Sequence, residues 1–241
     1  MKCAFLFTCL LFTALTVSPS AQAQSADALA GMQAYNSGDY ASAYRLLRAA
    51  ADANDPEAQV NLGYMYARGQ GVVENQLEAF RLYKKSADLG DGEGMNALGY
   101  KYLAGTGVAM DPSRAIHWFC AAIAMGNPRA MNNLALMLNQ GEYVTEDPAE
   151  ARSLWEQASL FGHSNAMMNL ALSYMTSAPL DDAAGRRWLL AAAQRGQPRA
   201  IQLLQAQGYS GSLPAPFDET AMMVPFVKNP PGRAKICSLI S

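Results

Sequence analysis

Leu62-Gly63-Tyr64-Met65-Tyr66 returns 36 residues later as Leu98-Gly99-Tyr100-Lys101-Tyr102. Looser copies follow at the same interval, Leu134-Ala135-Leu136-Met137-Leu138 and Leu170-Ala171-Leu172-Ser173-Tyr174. A small residue stands four before each leucine: Ala58, Gly94, Ala130 and Ala166. After the leucine come Gly69, Gly71 and Val72, then Gly105, Gly107 and Val108, and in the third copy Gly141, Tyr143 and Val144. Further on, Ala79, Ala115 and Ala151 keep phase, as do Leu82-Tyr83, Trp118-Phe119 and Leu154-Trp155, and finally Gly90, Gly126 and Gly162. A fixed period of this length marks an array of small units, each able to bury its apolar face only by stacking on its neighbours.

Each unit reads as two helices. Ala58, Leu62 and Tyr66 recur every fourth residue and so share one helical face. The Gly-x-Gly that follows ends the helix, because glycine readily takes the left-handed conformation of a helix C-terminus. The second helix opens at Asp111-Pro112 and Asp147-Pro148, an N-cap acceptor followed by proline at the first helical position. Its stripe in the second copy, Ala115, Trp118, Phe119 and Ala122, faces the first helix. Asp55-Pro56, Asn127-Pro128 and Gln197-Pro198 open first helices in the same way. The 43 alanines fit this scheme, since small residues at crossings let paired helices approach closely.

The pattern A-x3-L-G-x2-Y-x2-G-x-G-V, then A-x2-[W/L]-[Y/F/W], then Gly, closely resembles the Sel-one-like repeat (SLR), a relative of the tetratricopeptide repeat. The first two copies match nearly throughout. The third loses one loop glycine to Tyr143. The fourth is two residues shorter, lacks both loop glycines and regains phase at Trp188 and Ala191–Ala193. The resemblance implies an all-α fold, an α-solenoid (superhelix) of antiparallel helix pairs, with about four SLR units plus capping helices. The units are expected at 56–91, 92–127, 128–163 and 164–197, with a final helix at 198–208. Residues 24–55 read as a tetratricopeptide-like cap, since the ends of a solenoid must shield the stack from water. Residues 209–241 carry prolines at 214, 216, 225, 230 and 231 and read as an extended tail. Its apolar patches, Met222–Val227 and Ile236–Ile240, suit a tail that packs back on the solenoid.

Residues 1–23 read as a signal peptide. Lys2 precedes an apolar run from Cys3 to Val17, Ser18-Pro19 breaks it, and Ala21-Gln22-Ala23 supplies small residues for cleavage after Ala23. The run is shorter than the ~20 apolar residues a membrane span needs. Export is the expectation, with the periplasm as its destination and release into the medium as the alternative. Cleavage removes Cys3 and Cys9 and leaves Cys120 and Cys237. In an oxidising compartment these two can bridge and staple the tail to the solenoid; Cys120 as a small buried hydrophobe and Cys237 pairing between molecules are the competing readings. Their separation excludes a zinc motif, which needs clustered ligands.

With 18 Lys+Arg against 20 Asp+Glu, the chain has no basic excess for nucleic acid. Its 51% hydrophobic and 16% charged residues also argue against disorder. Ser-x-x-Lys, Gly-x-Ser-x-Gly and His-Glu-x-x-His are all missing. His117 and His163 occupy different repeat phases, and no cofactor or catalytic set is expected. The resemblance implies instead a concave groove that holds a partner protein or extended peptide. In related tetratricopeptide modules the residue before the repeated leucine faces that groove, which here selects Asn61, Ala97, Asn133 and Asn169. An amide can donate and accept against a peptide backbone. Tyr64 and Tyr100 would add platforms with polar tips, and Arg68 a fork for a carboxylate. The competing reading has the asparagines bonding a neighbouring helix and the tyrosines packing. Two other functions stay open: a cell-wall-active, penicillin-binding protein, and a groove autoinhibited by the tail.

Overall fold

The computed structural model describes residues 19–176, 180–208 and 234–240. Within them lie twelve helices and no strand: α1 Pro19–Asn36, α2 Tyr40–Asp52, α3 Pro56–Arg68, α4 Gln76–Asp88, α5 Gly92–Ala104, α6 Pro112–Ala124, α7 Pro128–Gln140, α8 Pro148–Leu160, α9 Ser164–Thr176, α10 Asp182–Gln194, α11 Pro198–Ala206 and α12 Lys235–Ile240. Each odd helix pairs with the even helix after it, from α1 with α2 to α9 with α10. The odd helices also touch one another in sequence, α1 on α3, α3 on α5 and α5 on α7, and so form the inner layer of a solenoid.

Side-chain caps set the helix starts. Asp55, Asp91, Asn127 and Gln197 accept the N–H groups of Ala58, Gly94, Ala130 and Ala200 at 2.6–2.9 Å. Asn75, Asp111, Asp147 and Asp181 do the same for the outer helices α4, α6, α8 and α10. Each such cap is worth ~1 kcal/mol, and together they fix the register of helix and loop. Gly69, Gly105 and Gly141 end the inner helices at φ of 65–66°. Tyr143 holds φ 66° where the preceding repeats have Gly71 and Gly107, so the loop keeps its shape at the cost of a strained side chain.

The repeated leucines Leu62, Leu98, Leu134 and Leu170 are 0–1% exposed, and Ala58, Ala79, Ala115, Ala130, Ala151 and Ala166 are fully buried. They line the seam between layers. The second copy has its bulky pair Trp118-Phe119 only half inside: Phe119 is buried, whereas Trp118 is partly exposed and packs edge-on to His117.

The last described residues depart from the extended tail expected of 209–241. Lys235–Ile240 form a helix that packs on α6, with Ala234 and Cys237 buried. No proline or glycine follows Gly232, so nothing in this stretch opposes helix formation. Cys237 is bonded to Cys120 of α6, 117 residues away. Glu150 of α8 accepts the Ile236 N–H at 3.2 Å, and Lys235 lies 3.8 Å from Asp147. Residues 209–233, including Met222–Val227, lie outside the described residues. So do residues 1–18 of the expected signal peptide.

Opening the Cys120–Cys237 bond should lower stability by ~2–4 kcal/mol, because it frees a long loop in the unfolded chain. Thermal unfolding of the double Cys→Ser variant should show a lower midpoint with unchanged helical circular dichroism at 20 °C. An unchanged midpoint would mean that the bond does not hold the terminal helix.

Candidate functional site

The inner helices enclose a groove of about 1050 Å³ on the concave face. It is lined from Met32 and Tyr35 on α1, through α3, α5 and α7, to His163 and Asn165 at the start of α9. Asn61, Tyr64, Arg68, Tyr100 and Asn133 all border it. Asn169 does not. Tyr100 is 57% exposed and makes no hydrogen bond in the described residues, so its ring stands free in the groove.

The asparagines build ladders between repeats. Asn133 Nδ2 donates to Asn96 Oδ1 at 2.9 Å, and Asn169 Nδ2 donates to Asn132 Oδ1 at the same distance. Each pair joins the residue before one leucine to the residue two before the preceding leucine, a step of 37. At the interface between α3 and α5 the same two positions hold Ala97 and Val60, both buried. The crossing can therefore be polar or apolar as long as both halves agree, since a half-satisfied buried amide costs ~1–3 kcal/mol. Asn61 donates to the Glu57 carbonyl one turn back, at 2.9 Å.

Glu93 organises the middle of the groove. Its Oε1 accepts from the Tyr64 hydroxyl at 2.5 Å and from Arg129 Nη1 at 2.6 Å, while Oε2 accepts from Asn127 Nδ2 at 3.0 Å. Glu93 and Arg129 hold the same phase in successive repeats, so the ion pair is an axial rung along the stack. Burial, and then the neighbouring Glu93 charge, raise the Tyr64 phenol well above its ordinary pKa. It stays protonated and donates. Near α1, Arg68 Nη1 donates to the Tyr35 hydroxyl at 3.1 Å and its guanidinium lies 5.4 Å from the Tyr64 ring centre. Lys101 is 5% exposed, bonds Gln76 Oε1 and faces the Tyr83 ring at 5.8 Å. Burial lowers its pKa, and Glu74 partly offsets this.

Glu93, Arg129, Asn96, Asn132, Lys101 and Tyr83 were not selected from the sequence. The signal lay between repeats: Glu57, Glu93 and Arg129 occupy one phase, and only a comparison across the 36-residue step shows opposite charges meeting. Of the two histidines, His117 is exposed on the outer helix α6, and His163 lies in the groove wall. His163 Nδ1 accepts the Ala166 N–H at 3.2 Å, the role Asn127 plays one repeat earlier. Among the described residues no cluster of His, Cys, Asp and Glu is placed to hold a metal ion, and no helix is long and apolar enough to cross a membrane. What the groove offers chemically is a set of oriented donors, acceptors and aromatic faces.

Comparison with known proteins agrees with this geometry. The family model described as Sel1 repeat matches residues 23–55, 56–91, 92–127, 128–163 and 164–197, so the segment read as a cap matches as a fifth repeat. A Sel1 repeat protein from Oxalobacter formigenes is similar at 29% identity and TM-score 0.66, with 85% of each chain covered. A protective antigen present in uropathogenic Escherichia coli strains, displaying an SLR fold, is similar at 26% identity and TM-score 0.61 over 80% of this chain and 44% of that one. An immunity protein from Pseudomonas aeruginosa shares the fold at 19% identity and TM-score 0.58, with coverage of 90% and 85%. No curated protein matches the sequence.

The His163 cap titrates. Burial, and then repulsion by Arg129, hold its pKa below 6.5 in the folded chain. The unfolded chain therefore takes up the proton first, and stability falls as pH drops below about 6.5 and the unfolded imidazole charges. His163→Asn keeps a cap acceptor without the titration. Urea midpoints at about pH 7.5 and 5.5 should differ less for the variant than for the parent. Equal differences would show that the His163 cap contributes nothing to the pH dependence.

Proposed function

Because the chain belongs to the Sel1 repeat family, we propose that it is an exported adaptor that holds an extended segment of a partner protein in its concave groove. Sel1 repeat proteins typically serve as protein-interaction scaffolds, and their fold is generally a non-enzymatic one. The observation that carries the reading for this chain is the groove wall itself. Tyr64, Tyr100, Arg68 and the Asn96–Asn133 rung come from successive inner helices and line one continuous channel. A channel of this kind suits an extended chain, whose backbone needs an acceptor or donor at regular intervals.

The test is a photo-crosslinking side chain placed at Tyr100 in the groove and, as control, at His117 on the outer layer. Partner adducts should form from position 100 and not from 117. Adducts of equal yield from both, or from 117 alone, would move the interaction off the groove. Tyr100→Ala should weaken the captured complex about tenfold, the ~1.4 kcal/mol expected for a well-packed aromatic anchor.

Export rests on Lys2, the apolar run to Val17 and Ala21-Gln22-Ala23. One structural feature supports the cleavage point. α1 spans 18 residues from Pro19, and cutting after Ala23 leaves Gln24–Asn36, 13 residues, the length of each helix from α2 to α10. Amino-terminal sequencing of the protein from the periplasmic fraction should begin at Gln24. A chain beginning at Met1 and confined to the cytoplasm would overturn the exported role.

A further inference from the structure

Each outer helix hands over to the next inner helix through one residue whose backbone hardly varies. Ala53, Leu89, Met125, Phe161 and Arg195 hold this place, all of them C-caps at φ of −84° to −88°. A conformation that alanine and arginine also adopt does not call for a large apolar side chain. Leu89, Met125 and Phe161 are nevertheless 53%, 59% and 61% exposed, and they stand in three successive repeats. They form one ridge. A Cβ on Gly92 would lie 3.1 Å from Met125 Cβ, and one on Gly126 would lie 3.9 Å from the tip of the Phe161 ring. Each of these two side chains thus lies against the turn of the repeat before it. None of the three lines the groove. Single exposed apolar residues are ordinary, whereas a contiguous row with a polar rim marks an interaction surface.

The rim carries a charge gradient along the stack. The nine residues centred on each ridge position have formal charges of −3, −2, +1, 0 and +2 from the first repeat to the fifth. Asp52, Asp55 and Glu57 supply the first of these, and Asp88, Asp91 and Glu93 against Lys85 the second. Arg129 gives the third, and Arg195 with Arg199 the fifth. Some of this charge is met locally, since Arg48 pairs with Asp52, Lys84 with Asp88 and Arg129 with Glu93. The two ends stay charged. Glu57 and Arg199 are exposed, and neither makes an ion pair among the described residues.

We infer that this edge docks a second copy of the chain, antiparallel about a twofold axis at Met125. Such an axis sets Met125 on Met125 of the second copy, and Leu89 on its Phe161. An isologous interface needs a patch complementary to itself, and the row has that form. Its five turns put the three apolar residues in the middle and opposite charges at the ends. The same rotation lays the acidic first repeat on the basic fifth, and does so twice. A parallel pair would instead set like charges against each other at both ends. The edge is also long enough. Neighbouring helices lie about 10 Å apart, so five turns span about 40 Å. Two helix layers of about 10 Å each give a width of about 20 Å. The resulting strip of about 800 Å² is what one partner contributes to a standard interface.

The chain purified from the cells that make it should sediment as a reversible mixture of monomer and dimer. Met125→Arg puts two like charges on the axis and should weaken the dimer at least about tenfold. Arginine already fills this phase at position 195, so circular dichroism and the thermal midpoint should not change. Leu89→Asp and Phe161→Arg should each weaken the homodimer as well. Mixed together, these two variants should regain a heterodimer, held by one contact between opposite charges and one native Leu89–Phe161 contact. That rescue reports the antiparallel register, since neither a parallel pair nor a misfolded variant would produce it. A monomer throughout the concentration range, a dimer indifferent to all three substitutions, or a mixture that associates no better than its components would overturn the interface. So would a monomer that crosslinks from position 125 only to a different protein, or that binds phosphatidylcholine vesicles through Met125, because the ridge would then have another occupant.

Discussion

The fold depends on how closely an outer helix can lie against its inner partner. The position after each repeated leucine is Gly63, Gly99, Ala135 or Ala171, and in phase with it on the outer helices stand Tyr83, Phe119, Trp155 and Leu189. At the first two crossings a Cβ would come within 2.5–2.8 Å of the opposing ring. Real Cβ atoms do not sit that close, so a methyl group there would push the layers apart or force the ring from its well. At these two crossings a large flat side chain is laid across bare backbone, which fills space densely with few residues.

A second constraint acts along the stack. Successive inner helices meet through one pair of positions, and that pair is Asn with Asn in two interfaces and Ala with Val in a third. Neither chemistry is required by the fold. What is required is agreement, since an asparagine facing valine would bury an amide without a partner. Asn61 holds the same phase and turns back to its own helix, donating to the Glu57 carbonyl. The same amide type thus does different work at position 61 than at 133 and 169, although all three share one phase.

This difference explains what the sequence could and could not disclose. Periodicity averages over copies, so it reveals what every repeat shares: the leucine row, the caps at Asp55, Asp111 and Asn127, and the glycines that stop inner helices. All-helical architecture and the pairing of helices follow from those residues. The candidate groove followed only in part. Asn61, Tyr64, Arg68, Tyr100 and Asn133 border it because the inner face is a property of phase. Asn96, Asn132 and the Glu93–Arg129 rung escaped because each is half of a bond completed 36 or 37 residues away. Tyr83 escaped for another reason, being an outer-layer residue by phase that reaches the inner face only because Gly63 opposes it. The terminal helix was hidden behind prolines that end before Gly232, and its place on α6 depends on a bond to Cys120 rather than on any local pattern.

In a globular core an inserted guanidinium would disturb neighbours in every direction. A solenoid is different, because each repeat touches only those beside it. The cation at Arg68 can be balanced within α1, α3 and α5 without consequence for α9. That locality makes departures from the repeat informative. Where a copy departs and the departure improves packing or satisfies a bond, stability accounts for it, as with Val60 opposite Ala97. Arg68 is accounted for in the same way: where later repeats carry Ala104, Gln140 and Thr176, its Nη1 donates to the Tyr35 hydroxyl and its guanidinium lies over the Tyr64 ring, so it ties α3 to α1 at this end of the stack.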